Sequence, residues 1–127
     1  MTTTEIGRLG ENLAAKYLKR EGFKILEKNN RQSHNEIDII AADKEYILFV
    51  EVKTRTTNQE LTLPYGSPAS AVTKEKQRRT VRAAQSYLLG GKAKGRQPRM
   101  DVIEVYLEKE TGALLKIHHI IDAFGVR

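Results

Sequence analysis

The chain contains no cysteine, which excludes a disulfide scaffold, a thiolate metal site and a cysteine nucleophile. No apolar run approaches the ~18 residues that a spanning helix needs. The opening Met1-Thr2-Thr3-Thr4-Glu5-Ile6 lacks the apolar core of a secretory leader. No internal repeat, low-complexity tract or linker divides the 127 residues, a length that fits a single domain spanning 1–127. Acid is missing from one stretch in particular. Between Lys74 and Arg99 lie nine cations and a single acid, Glu75, so this segment carries +8 and the remainder −2. What is present otherwise is ordinary for a globular protein: 39% hydrophobic and 30% charged residues, with a sequence pI near 9.6. These features together lead us to expect a soluble cytoplasmic domain that makes no use of a membrane.

A basic surface beside a mildly acidic body suits a polyanionic partner, because neutralised phosphates release their condensed counterions. The bland alternative is a solvated helix face followed by a basic loop. Charge alone does not decide between them.

Thr2 and Glu5 have the spacing of a capping box. Ile6, Leu9, Leu13 and Tyr17 then recur at intervals of three and four, which predicts an amphipathic helix ending at Gly22. Glu11 lies about 140° around that helix from Ile6, at ~100° per residue, on the border of the apolar stripe. A strand is expected over Phe23–Lys28, a polar loop over Asn29–Asn35, and a hairpin formed by Glu36–Ala41 and Tyr46–Lys53. Thr54–Ser67 reads as loop, with Pro64, Gly66 and Pro68 as breakers. A second helix spans about Thr73–Leu89, its stripe carried by Val81, Ala84 and Leu88. A basic loop leads to Arg99, and strands follow over Met100–Leu107 and Leu114–Ile121. The order is α-β-β-β-α-β-β.

The hairpin concentrates the chemistry. Symmetry about Lys44-Glu45 places Asp38 opposite Glu51, where like charges destabilise the pair. Alternation puts Glu36, Asp38, Ile40, Phe49, Glu51 and Lys53 on one face, and Ile37, Ile39, Leu48, Val50 and Val52 on the other. Two opposed carboxylates are reconciled by a hard divalent cation, since Mg²⁺ takes oxygen ligands and commonly only one or two carboxylates. Lys53, on the same face, is placed to position a water or to stabilise charge at a reacting phosphate. A surface ion-pair network would produce the same pattern.

Asp38 followed by Glu51-Val52-Lys53 resembles the split Asp…Glu-X-Lys signature of the PD-(D/E)XK nuclease superfamily. Gly10-Glu11 with Ala14-Ala15, Asn35-Glu36-Ile37-Asp38-Ile39-Ile40-Ala41, Phe49-Val50-Glu51-Val52-Lys53-Thr54-Arg55 and Arg99-Met100-Asp101-Val102 are similar to the YraN-like family. That is a bacterial group with a restriction-endonuclease-like fold related to archaeal Holliday-junction resolvases. The family usually has Gly in place of Asn35 and Phe in place of Met100; neither position touches the proposed ligands.

The resemblance implies an α/β, restriction-endonuclease-like αβββαβ core with a central mixed five-stranded sheet flanked by helices. It implies Mg²⁺, with Mn²⁺ as a substitute, held by Asp38, Glu51 and the Val52 carbonyl. Lys53 would be the catalytic lysine and Glu11 would face the same site. Lys74 and Gln77 would lie near it; the charge of the basic segment adds the expectation that Lys74, Lys76, Gln77, Arg78, Arg82, Lys92, Lys94 and Arg96, with Arg55, contact nucleic acid. The leading expectation is a Mg²⁺-dependent nuclease acting on structured or branched DNA, with a homodimer suggested by the resolvases. The rivals are a non-catalytic nucleic-acid-binding module and a basic adaptor for an acidic protein. His34, Ser33 and Ser67 are given no role. His118 and His119, adjacent in a strand, point to opposite faces, and Asp101 is expected to pair with Arg99 or a loop amide.

Overall fold

The computed structural model describes residues 1–32, 34–57 and 72–125. Helix α1 (Thr3–Arg20) is followed by β1 (Lys24–Gln32), β2 (Asn35–Ala42), β3 (Tyr46–Thr57), α2 (Lys74–Leu88), β4 (Gln97–Glu108) and β5 (Leu114–Phe124). The strands form one five-stranded sheet in the order β1-β2-β3-β4-β5. The β3–β4 pair is parallel and the other three pairs are antiparallel. The expected α/β class, element order and mixed sheet are thus the observed ones.

The capping box forms in both directions, with the Glu5 amide donating to Thr2 Oγ1 and the Thr2 amide to Glu5 Oε1. Gly22, at φ 99°, closes the helix, its amide donating to the Lys19 carbonyl. That left-handed backbone is the one glycine adopts without a steric penalty. Ala14, Ala15 and Leu18 of α1 pack on Ile39, Ala41, Leu48, Val50, Ile103, Val105 and Leu107. On the opposite face, Ala83, Ala84 and Tyr87 of α2 meet Ile40, Ala42, Ile47, Phe49 and Met100. The buried stripe of α2 is therefore rotated from the expected one. Thr80, Ala83, Ala84 and Tyr87 go inside, whereas Val81 and Leu88 are half-buried.

Three expected boundaries are corrected. Asn29–Asn35 is not simply a loop: β1 continues through Asn29, Asn30, Arg31 and Gln32, and Gln32 pairs with Asn35. Such an arm carries no alternating apolar signal, because it is held by backbone pairing and a ladder of polar side chains. Gln32 Nε2 donates to Asn30 Oδ1 and Asn30 Nδ2 to Glu27 Oε1. Thr54–Thr57 extend β3 rather than opening a loop, and Gln97–Arg99 start β4, because the parallel register runs unbroken from Tyr46–Gln97 to Thr57–Glu108. The remainder of the expected loop, with Pro64, Gly66, Ser67 and Pro68, lies outside the described residues, as does Ser33. Finally, Ile37 packs with Ile40 and Phe49 on the α2 side, not with Ile39. Strict alternation in β2 fails at Asp38, which is where the β2–β3 ladder also stops.

Candidate active site

The β2–β3 register is the one hairpin symmetry requires: Ala42 faces Ile47, Ala41 faces Leu48, Ile40 faces Phe49 and Ile39 faces Val50. The backbone ladder ends there. One residue further on β2, the Asp38 carboxylate takes over, accepting the Val52 amide through Oδ2 at 2.8 Å. This bond ties Asp38 to β3, near enough to Glu51 for the charge of Asp38 to raise the Glu51 carboxyl. Two acids from neighbouring strands are therefore gathered where the apolar ladder ends, although the expected Asp38–Glu51 pair is not itself a rung of that ladder.

Glu51 is only 6% exposed. Its two oxygens face different ammonium groups, Lys53 Nζ at 3.6 Å from Oε1 and Lys76 Nζ at 3.9 Å from Oε2. Those pairs are long, and both lysines are about a third exposed. Burial, followed by the Asp38 charge, pushes the Glu51 carboxyl up to about 7, against the opposing pull of Lys76 and Lys53. Asp38 is raised as well, by burial first, against the Val52 amide and the Lys76 charge. Neither acid has enough positive partner to ionise comfortably beside the other.

Glu11 approaches from α1. Burial raises its carboxyl, and the Asp38 charge adds to this, against a hydrogen bond from the Asn29 side chain. Gly10 explains how the helix comes so near. A Cβ at that position would lie 1.8 Å from Thr54 Oγ1, so only glycine lets α1 settle onto β3 immediately behind Lys53. Asn29 itself carries φ 53°, a backbone that Asn tolerates better than most residues. Together with Thr4, Gly7, Arg8 and Glu11 it lines a cleft of about 330 Å³.

The donor set here is oxygen only: the Asp38 and Glu51 carboxylates from adjacent strands, with the Val52 carbonyl next to Glu51 on β3. Among the described residues no group of three or more His, Asp or Glu side chains is placed to hold a metal by itself. Two carboxylates fit Mg²⁺ or Mn²⁺, which complete their shells with water and substrate oxygen, better than the closed nitrogen or sulfur cage of structural zinc.

The basic residues divide. Lys76 belongs to the acid site, not only to an outer binding face. Gln77 Nε2 donates to the Val72 carbonyl, securing the start of α2. Arg96 Nε donates to the Asp43 carbonyl at 2.7 Å and Lys92 sits 4.5 Å over the Tyr87 ring, so both of these expected contacts to nucleic acid are engaged within the fold. Lys94 is exposed on a turn at φ 50°. Lys74, Arg78 and Arg82 line a groove of about 710 Å³ with Val81, Gln85 and Phe124. Arg79 and Arg82 line a second cleft of about 420 Å³ with Gln32 and Asn35. Neither lining contains a carboxylate. Arg55 is not simply an outward cation either, since its Nε lies 3.1 Å from Glu104 Oε2.

Two buried acids of β4 had no assigned role at the site. Glu104, 3% exposed, meets Arg55 through one oxygen, and Tyr106 Oη and His118 Nδ1 through the other. No local sequence pattern points to it, because Glu104 lies beside Lys53 only across the parallel β3–β4 register. Asp101 does pair with Arg99, through two 2.9 Å bonds, and also with His119 Nε2 and the Asp122 amide. His119 in turn meets Tyr17 Oη through Nδ1, and His118 and His119 do face opposite sides.

An α/β sheet whose second and third strands bring two carboxylates and a lysine together at the end of a ladder defines a class of compact oxygen-donor site. The family described as Uncharacterised protein family UPF0102 matches residues 10–105, and the chain belongs to it. A UPF0102 protein of Caldanaerobacter subterraneus subsp. tengcongensis is 47% identical over 119 residues, covering 94% of this chain and 93% of that one. One from Chlorobium chlorochromatii is 48% identical over 128 residues, covering 98% and 95%. A third, from Clostridium perfringens, is 44% identical over 121 residues, covering 95% and 94%. The family match takes in Gly10, Glu11, Asp38, Glu51, Lys53 and Glu104.

Proposed function

We propose that this protein is a Mg²⁺-dependent phosphodiesterase of the PD-(D/E)XK type, acting in the cytoplasm on structured or branched DNA. The observation that carries the reading is the convergence, where the β2–β3 ladder ends, of half-buried Asp38, held by the Val52 amide, and buried Glu51, with Lys53 on the same strand. Asp38, Glu51 and the Val52 carbonyl would hold the ion. When bound, the metal supplies Lewis-acid polarisation of the phosphoryl group and a water acidic enough to attack at neutral pH. The protein's own groups do the rest. Lys53 orients the attacking water and offers positive charge to the phosphate oxygens as charge builds there. Lys76, reaching Glu51 from α2, holds that carboxylate in place and adds a second cation above the site. Glu11 accepts a hydrogen bond from water entering by way of the Asn29 cleft. The acid-free clefts beside α2 would bind flanking phosphates.

Cleavage of junction, flap, single-stranded and duplex DNA, each with Mg²⁺, Mn²⁺ and chelator, tests the reading. Metal-dependent cutting that Glu51→Ala and Lys53→Ala abolish is the expected result. Unimpaired cutting by both variants would remove the site assignment. The second reading, a binding module without catalysis, is favoured only by the clefts lined by Lys74, Arg78, Arg79 and Arg82. It requires salt-sensitive DNA binding and no cleavage under any metal. Indifference to every DNA form would instead favour an adaptor for an acidic protein. A homodimer would use the β5 side, where Leu114, Leu115 and Ile121 are exposed.

A further inference from the structure

On the face of the sheet that carries Glu51 and Lys53, the side chains continue past the acid site. Arg55 is the next residue of β3 on that face. Across the parallel pair, Glu104 lies beside Lys53 and Tyr106 beside Arg55; across the β4–β5 pair, His118 lies beside Glu104 and Lys116 beside Tyr106. Glu104 thus sits among Lys53, Arg55, Tyr106, His118 and Lys116, one strand over from the Glu51–Lys53 pair.

The acid is unusually well fixed. Its side chain is 4% exposed, yet the Arg55 side chain it grips is 45% exposed and the His118 side chain 31%. One oxygen takes Arg55 Nε; the other takes His118 Nδ1 and Tyr106 Oη. A guanidinium held by Nε has a set orientation, and its planar fork matches phosphate geometry. Surface ion pairs by themselves contribute little, so a buried carboxylate spent on orienting an exposed arginine calls for another explanation.

Spacing supplies it. At ~3.3 Å per residue, Lys53 and Arg55 are about 6.6 Å apart along β3. That is close to the step between successive phosphates of one nucleic-acid strand. We propose that Arg55, held by Glu104 beside His118, forms a second phosphate subsite that grips the phosphodiester next to the one at Lys53. The placement of the reacting phosphate at Lys53 rests on the nuclease reading above. The subsite's affinity for backbone phosphate does not. Glu104 is a positioning residue: it touches no substrate and acts through Arg55.

The test is the salt dependence of binding to a labelled four-way junction and to a single-stranded oligonucleotide, with Ca²⁺ in place of Mg²⁺. Arg55→Ala lowers the log–log salt slope by ~0.9, the loss of one phosphate contact, and weakens binding alike for different sequences. Arg55→Lys restores most of the slope. Glu104→Gln gives the sharper result, because it removes a negative charge. Unoriented electrostatics requires tighter binding from that change; positioning requires weaker binding, and no further loss when Arg55 is already Ala. An unchanged slope in a folded Arg55→Ala protein, or tighter binding by Glu104→Gln, overturns the proposal, as does failure of the parent to bind either DNA at low salt. If Glu104→Gln does not fold, the Arg55→Ala and Arg55→Lys pair decides alone. Cleavage in Mg²⁺ by the parent and by Glu51→Gln is scored separately, so a binding subsite on a protein that does not cut remains a distinguishable outcome.

Discussion

Asp101 and Glu51 are near neighbours: the register sets Asp101 beside Val50, and the two side chains emerge on opposite faces of the sheet. Both are buried, yet their surroundings are opposite. Burial alone would raise Asp101, but hydrogen bonds from His119, from the Arg99 guanidinium and from the Asp122 amide outweigh it and leave the carboxyl below its ordinary range. Arg99 is itself stacked 4.8 Å from the Tyr46 ring, so the positive partner is fixed too. Glu51 has two distant lysines and an acid for company, and is pushed up to about 7. One acid has been fully provided for, at the α1 face where β4, β5 and Tyr17 converge. The other has been left short of cations where the β2–β3 ladder ends. Local dissatisfaction amid a satisfied fold is the usual mark of a functional group.

The comparison breaks first at chemistry. If Glu51 and Lys53 form a working site, Lys53→Ala lowers the cleavage rate by ~10²–10³-fold, the usual effect of removing one charge-stabilising donor, while the melting temperature stays near that of the parent. Asp101→Ala should do the reverse. It strands Arg99 and His119 without their acid, and breaking a buried pair from one side costs about 3–5 kcal/mol. Chemical denaturation measures that loss. Equal stability losses in the two variants would erase the distinction between the regions.

Gly10→Ala has the next largest effect. The added Cβ would sit 1.8 Å from Thr54 Oγ1 and 2.8 Å from Thr54 Cβ. The helix must therefore lift, at about 1–3 kcal/mol for overpacking, and carry Glu11 away from Asp38. Thr54→Ala in the same chain removes two of the three nearest atoms and restores part of both stability and activity.

Much of this was legible beforehand, and the exceptions have a common cause. The hairpin register followed from symmetry about Lys44-Glu45, and the α1 cap followed from Thr2 and Glu5. Both depend on residues close in sequence. The far arm of β1 was missed because Asn29, Asn30 and Gln32 have no apolar alternation to reveal pairing. The ends of β3 and β4 were missed because a parallel partner some fifty residues away extends them; Thr57 meets Glu108. The same distance hid Glu104, whose place beside Lys53 exists only across β3 and β4. Lys76 was assigned to a binding face because helix periodicity states which residues share a side, not which carboxylate that side will meet.

The smallest predicted effect is also the cleanest contrast, the pH dependence of stability in chelator. Asp101 has its carboxyl lowered on folding, so it contributes stability above its unfolded value, near ~3.9, and loses it as pH falls through the lower folded value. Glu51 has its carboxyl raised to about 7, so the folded state prefers it protonated. The cost of ionising it is absent below the unfolded value near ~4.3, grows as pH rises, and is fully present above about 7. Stability should therefore climb through the acid range with Asp101 and then sag between about pH 5 and 7 with Glu51. Glu51→Gln makes the sag shallower, leaving what the raised Asp38 and Glu11 contribute, and keeps the acid limb; Asp101→Asn flattens the acid limb and leaves the sag. Added Mg²⁺ should lift the parent at pH 7, by about 2.7 kcal/mol at a hundredfold excess over its dissociation constant, and leave Glu51→Gln nearly unmoved. A parent whose stability rises monotonically to pH 7 would mean that Glu51 is as well provided for as Asp101, and the two regions would no longer differ in kind.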